Sequence, residues 1–202
     1  MERLRAYRDD GVIADELSKR LSTPRLPALT LALAGVTALG VGLLLVGSFG
    51  DGAGFVGTAA FLGSGILSAG AKPGRLQWLV PPLLRAGEYG VALWLASRAG
   101  PAAFGLTYGL LAAVAFHQYD IVYRLRHQGV GPPRWLTRLG GGWEGRATVL
   151  TIAGAAGIYQ PLAAAMALWL AAVYVSESVR SWIAVDRAEA RGIAMTENAK
   201  GN

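Results

Sequence analysis

The residues able to do chemistry crowd into one stretch. From His117 to Arg146 the chain reads HQYDIVYRLRHQGVGPPRWLTRLGGGWEGR. It holds both histidines, five arginines (Arg124, Arg126, Arg134, Arg138, Arg146), two acids (Asp120, Glu144) and two tryptophans (Trp135, Trp143). Two chemistries fit these residue types. A guanidinium presents a planar fork of donors that matches phosphate oxygens, so the arginines are candidates to bind a phosphorylated lipid or head group. Gly140-Gly141-Gly142 could add backbone amides to such an anion site where the next helix begins. The bland alternative is that any loop facing the cytoplasm collects arginine. His117 and Asp120, three apart, suit a histidine oriented by a carboxylate, a general-base arrangement, with Glu144 as a further acid or base. The same spacing equally suits a satisfied helix end. No GxxxxGK[ST], GxSxG or HExxH occurs. With no cysteine and no further histidine–acid spacing of ligand type, neither a metal site nor a cofactor is expected.

The elements that must position these residues are membrane helices. Hydrophobic residues make up 53% of the 202 and charged residues 16%, with 28 glycines, a balance that suits a bilayer better than a soluble core. The net charge of +6 then reports loops facing anionic lipid head groups. Nucleic acid is not an expected partner, because no compact basic domain remains once the apolar runs are removed. Residues 1–25 mix charges, lack a signal peptide's apolar core, and place Val12, Ile13, Leu17 and Leu21 on a helical stripe. They predict either an amphipathic helix on the membrane surface, with Lys19, Arg20 and Arg25 nearest the head groups, or a solvated helix.

Six spans follow, an all-α polytopic bundle over residues 26–179 with a cytoplasmic tail over 180–202. The runs 26–50 and 52–71 carry no charge apart from the turn at Asp51-Gly52. The second is rich in glycine, which permits close helix approach. The third, residues 76–97, contains Pro81-Pro82, expected to kink or break the helix. It also carries Arg85 and Glu88, three apart and able to pair. At membrane depth such a pair either fixes helix packing or faces a polar cavity. A fourth span covers 102–116. The uncharged run after Arg146 divides at Tyr159-Gln160-Pro161 into 145–158 and 161–179. Setting Lys19, Arg20, Arg25, Lys72, Arg75, the five arginines of the 117–146 stretch, Arg180 and Arg187 on one side leaves only Arg98 opposite. The positive-inside rule then puts both termini and the 117–146 loop in the cytoplasm, in a plasma membrane protein.

This layout resembles the CDP-alcohol phosphotransferase family. DDGVIADELSKRLSTPRLPALT and GRATVLTIAGAAGIYQPLAAAMALWLAAVYV are similar to the two ends of that family. The 117–146 segment resembles an actinobacterial membrane domain that occurs fused to, or near, those enzymes. The resemblance implies six spans, an N-terminal surface helix, and a CDP-linked lipid or head group as ligand. It also implies divalent metal held by aspartates in DGxxAR and GxxxDxxxD. Those aspartates are missing. Asp51-Gly52 leads into AGFVG, and Leu84 stands where the last aspartate belongs, just before Arg85 and Glu88. One carboxylate cannot replace an aspartate cage. The expectation is therefore a degenerate relative that binds a phosphorylated lipid or head group, pairs with an active homologue, or forms a homodimer. Its alternatives are a phosphotransferase of altered mechanism using His117, Asp120 or Glu144, and a small transporter or scaffold built on Arg85 and Glu88.

Overall fold

The structure, a computed structural model, describes residues 6–20 and 26–200, with residue 185 and residues 188–200 described by their backbone alone. It is all-helical, and the described residues contain no strand beyond a single bridge between Pro27 and Lys72. A short helix, α1 (Val12–Arg20), precedes two long apolar helices, α2 (Ala28–Phe49) and α3 (Asp51–Ala69). Gly50, at φ 71°, joins these two with no intervening residue, a left-handed conformation that glycine adopts without a Cβ clash. The hairpin packs backbone to backbone. A Cβ on Gly42 would lie 2.8 Å from the Cα of Gly57, so small residues set this crossing.

A 3₁₀ turn (Gln77–Leu79) feeds α4 (Val80–Ala99). Pro81 and Pro82 fall in its first turn, where amide hydrogens have no helical acceptor. The proline pair therefore starts the helix and does not break it, contrary to the expectation from its position in an apolar run. Gly100, at φ 102°, leads into α5 (Pro101–Tyr123), which widens into a π turn at Arg124–Gln128. Then come α6 (Arg134–Gly140), α7 (Gly142–Ala155) and α8 (Tyr159–Lys200). The stretch read as a surface loop, residues 117–146, is thus mostly helical. The break in the last apolar run falls at 156–158, with Gly157 left-handed, and Pro161 sits in the first turn of α8. The tail, too, remains helical through Lys200.

One core runs through the bundle from Ala28 to Tyr174, with Phe61, Leu84, Leu95, Leu110, Trp143 and Leu150 among its buried members. The outer surface is apolar. Leu44, Phe49, Val56, Tyr108 and Leu168 are 71–84% exposed, while Glu88, His117, Glu144 and Arg146 are buried. Polar inside and apolar outside is the arrangement a hydrocarbon solvent favours. Among the described residues, three helical segments are long and apolar enough to cross a membrane: α2, α3 and Tyr159–Ala184 of α8.

The bundle has two distinct ends. At the far end, Arg98 pairs with Asp51 and lies over the Phe55 and Trp94 rings, and Gln160 Nε2 donates to the Ala99 carbonyl at 2.7 Å. At the polar end, the Ala28 amide donates to the Lys72 carbonyl (3.2 Å), Trp169 Nε1 to the Leu139 carbonyl (3.1 Å), and α1 rests on α3 and α7. Val12 and Ile13 of α1 face outward and Leu17 is half-buried, so part of the sequence stripe points away from the bundle. Leu21 and Arg25 lie outside the described residues.

Candidate functional site

The segment between the first turn (residues 6–8) and α1 enters the bundle at its polar end. Asp9, the one described non-glycine residue with positive φ (51°), turns the chain inward. Aspartate tolerates the left-handed region better than most side chains, at a cost on the order of 1 kcal/mol. Its carboxylate is fully buried and reaches three helices. Arg146 Nη2 of α7 donates to Oδ2 at 3.0 Å, Gln118 Nε2 of α5 lies 3.3 Å away, and Arg85 Nη2 of α4 lies 3.4 Å away. His117 Nε2 stands 3.5 Å from Oδ1, too far for a full hydrogen bond. Burial alone would raise the Asp9 pKa, but Arg146, then His117 and Arg85, hold this carboxyl well below the usual range.

Glu88 is the counterweight on α4. It accepts from Arg146 Nε at 2.6 Å and from Arg85 Nη1. Arg146 Nη1 also donates to the Gly140 carbonyl and to the Tyr174 hydroxyl of α8, each at 3.2 Å. Tyr174 stacks on the His117 ring, centroids 3.9 Å apart and planes 5° from parallel. Both His117 nitrogens and Arg85 Nε are buried without a hydrogen-bond partner.

The flanks of Asp9 are tied down separately. Glu144 accepts from the amides of Gly11 (2.9 Å) and Ala14 (3.0 Å), so a distant carboxylate caps α1 at a start that no local side chain caps. Trp143 donates its indole to Asp10 (2.9 Å) and its amide to the Asp9 carbonyl (3.2 Å). Arg8 bonds Asp10 at 2.7 Å and Ser68 at 3.1 Å, and its carbonyl accepts from Arg85 at 2.8 Å. The fit is close. A Cβ on Gly11 would stand 2.8 Å from Glu144 Oε1 and would collide with the Gly141 carbonyl.

A second buried cluster joins α5 to α8. Arg124 lies 2.7 Å from Asp120 and donates to Glu177 at 2.8 Å, while Ser178 donates to Asp120 at 3.2 Å. His117 and Asp120 therefore do not form the expected dyad. Three residues along a helix fall about 60° short of a full turn, and the two side chains diverge to different neighbours. Nor is Glu144 free to serve as an acid or base, since two amides hold it. In the triple-glycine turn the Gly141 amide donates to the Arg138 carbonyl and the following Trp143 amide to the Asp9 carbonyl, so these donors are spent within the protein. Of the five arginines grouped by sequence, Arg124 and Arg146 are buried in these two clusters, and Arg126, Arg134 and Arg138 are exposed. Arg85 and Glu88 pair as their spacing predicts, and Arg146 joins them.

Reading the sequence missed Arg8, Asp9, Asp10, Gln118, Tyr174 and Glu177. A signal was present for the aspartates. Asp15 and Glu16 have basic partners four residues on, Lys19 at 2.7 Å and Arg20 at 2.7 Å, whereas the positions four after Asp9 and Asp10 are Ile13 and Ala14. Acids without local partners must find distant ones or stay in water.

Chemically, the arrangement is a balanced set of two carboxylates and two guanidiniums. The buried carboxylates of Asp9 and Glu88 already face two guanidiniums, so a divalent metal of the kind the phosphotransferases hold does not fit here. Among the described residues, no group of three or more metal-ligating side chains is placed to hold an ion. No curated protein and no solved structure matches the chain. A family model does, over residues 1–198, and the chain accordingly belongs to the family of unknown function DUF5941.

Proposed function

We propose that the chain is a membrane protein of six crossings that recognises phosphorylated lipids or head groups at the cytoplasmic face of the plasma membrane, without metal-dependent phosphoalcohol transfer. In this reading α2, α3, α4, α5, α7 and the first part of α8 cross, α1 lies on the membrane surface, and residues 1–25 and 180–202 are cytoplasmic. The distribution of free cations supports that orientation. Lys72, Arg75, Arg126, Arg134 and Arg138 are exposed at the polar end, whereas Arg98 at the far end is neutralised by Asp51.

The observation that carries the binding role is the surface of α6. Arg134 and Arg138, one turn apart, are exposed beside exposed Trp135 and Leu139, while Leu136 anchors the helix in the core. Guanidiniums next to an indole suit the depth at which lipid phosphates lie. Native mass spectrometry of the detergent-purified protein with equimolar phosphatidic acid and phosphatidylcholine tests this. Retention of phosphatidic acid by the wild type, lost in an Arg126→Gln, Arg134→Gln, Arg138→Gln variant, is the expected result. Equal retention of both lipids by the wild type rejects it.

A second reading, pairing with another copy or with an active phosphotransferase, draws on α2. Gly40 and Gly47, seven apart and on one face, are exposed with nothing within 4 Å of the position a Cβ would take. Such a face admits another helix at short range. Gly40→Leu and Gly47→Leu should abolish cross-linking between copies in native membranes, or between this chain and the active homologue, if that face is used.

A further inference from the structure

We propose that Arg85, Arg146, His117 and Gln118 form an oxyanion site for a phosphate group, and that the chain's own Asp9 fills it as an internal competitor. The inference rests on the reading that this protein recognises phosphorylated head groups, and it locates a site separate from the surface of α6.

Four features support it. First, the charges around Asp9 balance only when its carboxylate is in place. Two guanidiniums face one glutamate, which leaves one surplus positive charge for Asp9 to cancel. Second, the occupant under-uses its surroundings. Arg85 Nε and both His117 nitrogens lack partners although fully buried, and Asp9 Oδ1 is itself unbonded. A buried donor without an acceptor is expensive, and a phosphate brings three oxygens where a carboxylate brings two. Third, the occupant is held in a strained pose, since Asp9 is the described non-glycine residue with a left-handed backbone. Fourth, the site lies near the edge of the bundle. Arg85 keeps 11% of its side chain exposed, and Gln118 is half-buried.

Exchange requires residues 8–10 to lift while Glu144 retains Gly11 and Ala14. The arriving phosphate would take the donors of Arg146, Arg85 and Gln118 and add acceptors for Arg85 Nε and His117. No covalent step is involved.

The test uses the full chain in detergent, in the Arg126→Gln, Arg134→Gln, Arg138→Gln background, so that loss of surface binding cannot be confused with loss of this site. The probe is inorganic phosphate, measured by equilibrium dialysis against chloride at equal ionic strength. Asp9→Ala and the isosteric Asp9→Asn should each bind phosphate at least about ten-fold more tightly than the parent, the scale of one charge-assisted hydrogen bond regained. Adding Arg146→Gln should remove the gain. If the Asp9 variants unfold on purification, phosphate should restore their folding where chloride does not. Phosphate binding no tighter than the parent's, a gain that survives Arg146→Gln, or unfolding that phosphate fails to reverse would each overturn the proposal. Once a gain is seen, competition by phosphatidic acid in nanodiscs assigns the site to a lipid phosphate. Competition only by soluble glycerol phosphate assigns it to a free head group. Both outcomes uphold the site.

Discussion

The two buried arginine clusters look alike in composition and differ in what balances them. Around Arg124, one guanidinium meets two carboxylates, Asp120 and Glu177, and the surplus negative charge stays near water, with Glu177 at 12% exposure. Around Arg146, 2% exposed, two guanidiniums meet Glu88, and the surplus positive charge is cancelled by Asp9, a residue delivered from outside the helical bundle. Near the surface an unbalanced pair can be solvated. Deeper in, the balance has to be supplied by protein, and the N-terminal segment supplies it.

The sharpest way to break this contrast is Arg146→Met. It strands Asp9 and Glu88 in the interior and is expected to lower stability by about 3–5 kcal/mol, read as the unfolding midpoint in detergent. Arg124→Met should cost less, about 1–3 kcal/mol, because Ser178 still donates to Asp120 and Glu177 keeps some exposure to water. Equal losses would show that depth does not separate the clusters.

A smaller change probes the tether alone. Glu144→Ala orphans the buried amides of Gly11 and Ala14 and should cost about 1–2 kcal/mol. Hydrogen exchange at those two amides should accelerate while exchange in α4 is unchanged.

The smallest effect expected is on pH dependence. The Asp9 carboxyl is depressed, so its contribution is fully present above its ordinary value of 3.8 and disappears only as pH falls through its lower folded value. The thermal midpoint of the wild type should fall as pH drops below 3.8, and this acid limb should be smaller in Asp9→Asn.

Much of the bundle was legible because long apolar runs and the glycines between them report directly on closely packed helices. Arg85 and Glu88 were legible for the same reason, since a charge in such a run has few places to go. The 117–146 stretch misled for a physical reason. A dense set of polar residues between apolar runs resembles a surface loop, but Arg124 and Arg146 are polar because they meet buried acids, and Arg126, Arg134 and Arg138 because they meet solvent. Residue type alone does not separate these cases. Asp9 was the hardest to read, because its partners stand up to 137 positions away and no local spacing encodes them.

That separation bears on how the protein is made. Asp9 leaves the ribosome before any of its partners on α4, α5 and α7, so during synthesis its carboxylate waits unpaired while Arg85 and Glu88 have only each other for company. Docking of residues 8–11 must wait until Arg146 and Glu144 have been placed. Assembly therefore closes on a segment made earlier than all of its partners, and a docked Asp9 certifies that the later helices have arrived.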